Sequence, residues 1–303
     1  VLLAAALPRP ATASPGDTYG ALPRGTATAG AQTAAGADTG AAFYNPANLA
    51  YAGATGHASV QIGYAAGLPY VSVHRDNSDP ATLQQYPTVK PPADGWMTLG
   101  TLVPIGGKIR NNASLGLIIY IPQNNLIRVE SLSPQNPQWL RYQANTDRLV
   151  LALGLGVRLG KYLAVGAGFH MLAGLTGTVA TNADLFTKQV TERNMSVDLD
   201  PAFAATAGVT FSPYKNWRFS IAYRSPLQVN VHLPTQIGLG DLGSLSILLN
   251  GIVDYSPHQL AVGAAIPLAK DLSATANLTW EHWSAMPNPS LQINVTTGGA
   301  LAT

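Results

Sequence analysis

RLVLALGLGVRLGKYLAVGAGFHM, from Arg148 to Met171, is the stretch whose reading decides the fold. Its odd positions carry Leu149, Leu151, Leu153, Leu155, Val157 and Leu159, then Leu163, Val165, Ala167, Phe169 and Met171 past a Gly160-Lys161 turn. Its even positions carry Val150, Ala152, Gly154, Gly156 and Arg158, then Ala164, Gly166, Gly168 and His170. Period-2 alternation on both sides of a tight turn predicts two antiparallel strands with one apolar face. The opposite face is small and polar, so the large side chains point away from a crowded or wet interior. That is the inside-out pattern of a transmembrane β-barrel.

Composition points the same way. Charged residues make up 11% of the chain, against roughly 25% in an ordinary soluble domain. After the first residues no apolar run reaches the ~20 residues of a membrane helix, whereas a closed barrel satisfies every backbone group without one. A net charge of +2 with no basic cluster excludes nucleic acid as a partner. The chain has no cysteine and thus no disulfide framework.

The N-terminus reads as exported. Val1 to Leu7 is a short apolar core, Pro8 and Pro10 end it, and Ala11-Thr12-Ala13 has the small-x-small form of a signal-peptidase site. Residues 1–13 are therefore expected to be a signal-peptide remnant. The other end stops soon after an alternating run that starts at Leu291, Ile293 and Val295, so both ends read as cut.

Residues 14–56 are rich in Gly, Ala and Thr and predict a compact irregular segment; residues 57–303 predict the barrel. Short links are expected at 105–112, Gly160-Lys161, Ser212–Asn216 and Ala269-Lys270, and long ones at 67–94, 122–138, 173–194, 234–256 and 284–289. Their strict alternation predicts an up-and-down meander with short turns in the periplasm. The strands fall near 57–66, 95–104, 113–121, 139–159, 162–172, 195–211, 217–233, 257–268 and 271–283, with a tenth starting at 290. The phase of 217–233 survives Pro226, which predicts one long strand there.

Ala41-Ala42-Phe43-Tyr44-Asn45-Pro46-Ala47-Asn48-Leu49-Ala50, preceded by Arg24-Gly25-Thr26-Ala27-Thr28-Ala29-Gly30, resembles the N-terminal signature of the long-chain fatty acid and hydrocarbon outer-membrane transporters, the FadL/TodX family. Phe211-Ser212-Pro213, Asn216-Trp217-Arg218, Tyr223-Arg224-Ser225 and Leu278 to Ser284 echo the same family in order, so the likeness runs over most of residues 17–290. The resemblance implies a fourteen-stranded barrel when intact, about ten strands of it in this chain, plugged by a small N-terminal hatch. It implies that hydrophobic molecules are caught by loops after the fifth and seventh strands and leave sideways through a kinked third strand. Loops 173–194 and 234–256 fall after strands five and seven of the count above. The loops are short and 173–194 is polar, which departs from the family.

The candidate site residues follow. By resemblance Asn45-Pro46-Ala47 lies in the hatch facing the third-strand kink; physically, Asn can bond local backbone while Pro fixes φ, which gives a rigid turn. The inward Gly154, Gly156, Gly166 and Gly168 open no helix and so make no phosphate loop; they are expected to make room for the hatch. Leu242, Leu245, Leu248, Leu249 and Ile252 recur at helical spacing in loop 234–256 and predict a short amphipathic helix, either a ligand groove or rim packing. Leu185 and Phe186 are the alternative capture site. Asp198 and Asp200 fall on the lumen phase of strand six, Arg218 and Arg224 on that of strand seven. They predict a stiffening salt-bridge ladder, or an arginine that reads a carboxylate headgroup.

Hydrolysis needs a nucleophile, a base and an orienting group in contact, and the six dispersed histidines belong to no such motif or metal spacing. The expectation is a monomeric, non-enzymatic protein of the bacterial outer membrane, without cofactor or metal, surrounded by lipid. It would admit long-chain fatty acids or other hydrophobic small molecules by passive, hatch-gated diffusion with lateral release. A general porin, or a barrel of the same fold serving protein secretion or surface attachment, are the alternatives.

Overall fold

A computed structural model of the chain describes residues 20–67, 94–105, 112–123, 149–184, 189–214, 216–239, 243–270, 272–287 and 292–298. Among these residues the architecture is an N-terminal segment of short helices followed by fourteen strands in two sheets. The segment contains α1 (Leu22–Ala27), α2 (Ala41–Tyr44) and α3 (Leu49–Ala52), with a 3-10 turn at Pro46–Asn48 between the last two.

The larger sheet has nine strands. They are β1 (Ser59–Gly67), β2 (Asp94–Pro104), β3 (Ala113–Pro122), β4 (Val150–Leu159), β5 (Leu163–Leu172), β8 (Ala202–Phe211), β9 (Arg218–Arg224), β12 (Gln259–Ala269) and β13 (Leu272–Glu281), neighbours in that order and antiparallel throughout. The smaller sheet holds β6 (Leu175–Asp184), β7 (Gln189–Leu199), β10 (Leu227–Gly238), β11 (Ser244–Ser256) and β14 (Gln292–Gly298), in the order β14-β11-β10-β6-β7.

The two sheets are consecutive lengths of the same strands. β5 runs into β6, β7 into β8, β9 into β10 and β11 into β12, each across two residues. Pro201, Pro226 and Pro257 stand at three of these crossings. Proline has no N–H for the ladder, so the regular ladder is interrupted there. The β5–β6 length still lies against β8–β7 and the β9–β10 length against β12–β11, while the other edges change partners, β10 pairing with β6. The fourth crossing carries Gly174, where an added Cβ would lie 2.4 Å from the Asp200 carbonyl oxygen. Two strands predicted as continuous, 195–211 and 217–233, are therefore divided at Asp200-Pro201 and Ser225-Pro226. The apolar alternation continues past Pro226 in the sequence, but its facing reverses there: Phe219, Ile221 and Tyr223 are exposed, whereas Leu227 and Val229 are buried.

Other expectations change too. Loops 173–194 and 234–256 are largely hairpin: β6 pairs with β7, and β10 with β11. The run near 291–298 becomes β14, which pairs with β11 in the smaller sheet and is not a tenth wall strand. The simple meander fails at one point, since β6 pairs with β10 in parallel, Thr235 opposite Val179 and Gly238 opposite Asn182. Of the strand expected at 139–159, positions 139–148 lie outside the described residues.

The larger sheet curls around the N-terminal segment. Gly63 of β1 faces Pro23, Gly100 of β2 faces Thr39, and Gly116 of β3 faces Leu49; across the sheet, Gly208 of β8 faces Asn45 and Gly263 of β12 faces Thr33. One short segment can meet strands this far apart only if the sheet wraps it. Leu22, Phe43 and Leu49 form a buried core with Leu102, Ile118 and Ala152 of the wall.

The other face is apolar and exposed. Ile62, Leu115, Leu155, Phe203 and Ile221 all point outward, while the alternating inward positions of β8 and β9 are buried. Aromatic side chains gather at both ends of this face. Tyr214, Trp217 and Phe219 lie within 5.9 and 6.4 Å of one another in sequence at the short-turn end. Tyr223 with His258, and Trp280 with His282, stack at the other. β12 spans the interval with 11 residues, roughly 25 Å of height for a strand tilted ~40°. No helix of the described residues is long and apolar enough to cross a membrane.

Candidate functional site

The site begins with Asn45. Its backbone is extended and caps the 3-10 turn, where its Oδ1 accepts the Ala47 N–H at 3.1 Å. Pro46 supplies the fixed φ of the first turn position. The Asn45 amide donates to the Thr33 carbonyl at 2.8 Å and to Thr210 Oγ1 at 3.1 Å. Asn48 also donates to the Thr33 carbonyl, at 2.9 Å, and its Oδ1 accepts the Thr210 hydroxyl at 2.7 Å. Thr210 has one proton, and it goes to Asn48. The 2.8 Å contact with Ser220 therefore has Ser220 as donor. These side chains are all buried, and they fasten the segment to β8 and β9.

The wall is shaved to receive that turn. A Cβ at Gly156 would stand 2.5 Å from the Pro46 carbonyl oxygen, one at Gly166 would stand 2.3 Å from the Ala47 nitrogen, and one at Gly154 would press Leu49 and Pro46 at about 3 Å. Gly168 differs. Its nearest atoms are the Leu153 carbonyl and Gly154 of the neighbouring strand, so that glycine serves the wall's own backbone.

Asn45-Pro46-Ala47 thus faces β4, β5 and β8. The resemblance implies a kink in the third strand opposite it, and among the described residues the ladder of β3 is unbroken. β3 pairs without a break to β2 from Ser114 to Pro122 and to β4 from Ala113 to Tyr120. The break in the wall lies elsewhere. β9 pairs with β8 only from Thr206 to Phe211, and above that Ala205 meets Ser225 through its N–H on the Ser225 hydroxyl and its carbonyl on the Ser225 N–H, both 2.8 Å. β10 then leaves β8 for β11 and β6.

The predicted charge ladder is not built. Asp198 lies opposite Thr176 in β7, an edge strand of the smaller sheet, and both Asp198 and Asp200 are exposed. Arg224 sits between Thr206 and Gln259 in the wall. The break at Pro201 carries the aspartates away from the register that would have paired them. The arginines turn instead to the N-terminal segment. Arg224 donates to the Phe43 carbonyl at 3.0 Å and lies 4.7 Å from the Phe43 ring, which also stacks on His170 at 4.8 Å and meets Tyr44 edge-on at 5.2 Å. Arg218 donates to the Ala35 carbonyl at 3.5 Å. Arg158 and Arg218 both approach the Tyr51 ring, at 4.8 and 5.3 Å. Burial holds the Tyr51 phenol above its usual range against the opposing pull of these two cations.

A second buried apolar cluster packs on the inward side of the wall. Trp96 and Tyr120, stacked at 5.7 Å, share one buried cluster with Val150, Leu172, Leu227 and Val229. The last two come from β10, so the smaller sheet closes over inward residues of β2 to β5. None of these was singled out from the sequence. Trp96 and Tyr120 stand on the inward phase of their strands, which was readable, but the arrival of β10 was not.

The predicted capture helix is a strand. Leu245, Leu248, Leu249 and Ile252 lie in β11, opposite Ile237, Pro234, Leu233 and Asn230 of β10. Leu245 and Leu249 share one face, Leu248 and Ile252 the other. Leu242, Leu185 and Phe186 lie outside the described residues. Among the described residues no three histidine or carboxylate side chains converge for a metal.

Among solved structures the chain is similar to the crystal structure of a Pseudomonas aeruginosa FadL homologue. The two share 16% identity at a TM-score of 0.45, over 96% of this chain and 72% of that one. No family model matches the chain. No curated protein matches it.

Proposed function

We propose that this chain is an outer-membrane β-barrel protein that passes hydrophobic or amphiphilic small molecules, long-chain fatty acids among them, by passive diffusion, with residues 20–56 acting as the hatch. The observation that carries the reading is the seating of that segment. It fills the concave side of a curled sheet whose convex side is apolar, with aromatic side chains at two levels roughly 25 Å apart. A lipid bilayer is the solvent that such a convex face suits.

The buried apolar cluster around Trp96 supplies the substrate side. Its Trp96, Leu172, Leu227 and Val229 suit a hydrocarbon chain, and Arg224 suits a carboxylate. We infer lateral release at the upper end of β8, where pairing with β9 ends beside Ala204 and Leu227, both members of the buried cluster. A continuous β3 argues for this exit over a third-strand one. A general porin would need an open polar channel, which a seated hatch does not leave.

Uptake of labelled oleate by vesicles carrying the protein tests the reading, beside liposome swelling in sugars. Oleate uptake without swelling is expected, and Leu227→Ser with Val229→Ser should weaken oleate binding by about tenfold or more, as two leucine-sized contacts are worth a few kcal/mol. Swelling in sugars without oleate uptake overturns it.

A further inference from the structure

The short-turn end of the barrel collects positive charge. Arg158 ends β4, Arg218 begins β9, Lys270 follows β12, and Arg24 lies in α1. A cavity of about 310 Å³ opens here between the N-terminal segment and the wall, lined by Arg24, Arg218 and Lys270 together with Ile266, Pro267 and Leu272. No carboxylate stands among the described residues that line it. Among the described residues Asp38 is the nearby acid, and it is engaged with Arg24 at 3.6 Å; Asp271, between Lys270 and Leu272, lies outside the described residues.

Arg218 at the inner end of this cavity is poorly served by the protein. Its single hydrogen bond, to Ala35, is 3.5 Å long, at the outer limit for such a bond. Arg24 and Arg158 are close enough to repel it. Arg158 shares the Tyr51 ring with it, and its own bond to the Ala50 carbonyl is again 3.5 Å. Two buried polar atoms beside them, Arg158 Nε and Tyr51 Oη, have no hydrogen-bond partner. Arg158 and Arg218 are only partly buried, but like charges this close still repel, and a neutral ligand would leave that repulsion in place. An acceptor-rich anion would remove it, and the guanidinium fork matches carboxylate and phosphate geometry.

We propose that this cavity is an oxyanion site, with Arg218 as its central ligand and Arg24 and Lys270 at its sides, which takes the carboxylate or phosphate of an amphiphile. The apolar Ile266, Pro267 and Leu272 beside the cations give the first methylenes of such a molecule a surface. The site depends on the fold and not on the transport reading, because its lining shares no residue with the buried cluster around Trp96 and it is tested by binding alone.

The test is calorimetric titration of the full chain, folded in a neutral detergent, with octyl phosphate, octanoate, inorganic phosphate and uncharged octyl glucoside. Measurements in an Arg224→Gln background remove the arginine proposed for the transported carboxylate from the reading. Saturable binding of both anionic amphiphiles is expected, with none of the glucoside. Arg218→Gln should weaken it about tenfold or more, the worth of a charged hydrogen bond. Lys270→Gln, at an exposed turn, should weaken it severalfold and keeps the test valid if an arginine variant fails to fold. Equal affinity for inorganic phosphate assigns the site to a free anion, and much weaker affinity assigns it to a headgroup. Equal binding of the glucoside, or affinity unchanged in the Arg218 and Lys270 variants, overturns the proposal.

Discussion

Thr210 has one proton and two lone pairs, and Asn48, Asn45 and Ser220 take all three. Thr210→Val keeps the shape and removes the hydroxyl, so buried amide groups of two asparagines lose a partner. The expected cost is about 1–3 kcal/mol, read as a lower unfolding midpoint in urea with the protein in bilayers; an unchanged midpoint would show that the network contributes nothing to stability. Gly166 acts through space rather than bonding. Its missing Cβ would stand 2.3 Å from the Ala47 nitrogen, and backbone cannot give way as a flexible side chain can. Gly166→Val should therefore unseat the N-terminal turn while β5 still pairs on both sides. Single-channel recording should then show raised conductance in a protein that still inserts.

At the scale of elements, the alternation from Arg148 to Met171 was enough to read β4 and β5 and to assign their faces. Leu155 is exposed and Gly156 buried, as the period-2 pattern requires. Leu155→Arg should destabilise the inserted protein by roughly 2–4 kcal/mol if the outer face meets lipid, and by far less in water-soluble form; denaturant titrations in bilayers decide between them. Pairing partners were not legible. Leu245, Leu248, Leu249 and Ile252 have helical spacing, yet β11 forms because β10 offers it a full ladder and a strand tolerates that spacing when both faces are partly covered. Asp198 and Arg224 had the right phase for an ion pair, but phase fixes only the face. Which strand lies alongside depends on where prolines interrupt the ladder. Asn45 was legible as a turn former. Its contact with Thr210 was not, since 165 residues separate the two.

For the whole molecule, the N-terminal segment and the wall are separable in principle, because the ladder of the nine-stranded sheet does not pass through residues 20–56. Deleting that segment should leave a protein that still inserts but admits small sugars in a swelling assay. A deletion variant that inserts and stays sealed would remove the hatch role. The parallel pairing of β6 with β10 has a consequence of another kind, for the order of assembly. A hairpin can form as soon as its second strand exists, whereas β6 must wait for β10, more than forty residues later in the chain. Closing so long a loop costs entropy before any contact repays it. The five-stranded sheet should therefore be the last part to acquire protection in pulsed hydrogen exchange during refolding, after β4 and β5 are already closed. Until that moment the mouth would stand open, and on the proposed hatch reading a nascent molecule would pass solutes that the finished one excludes.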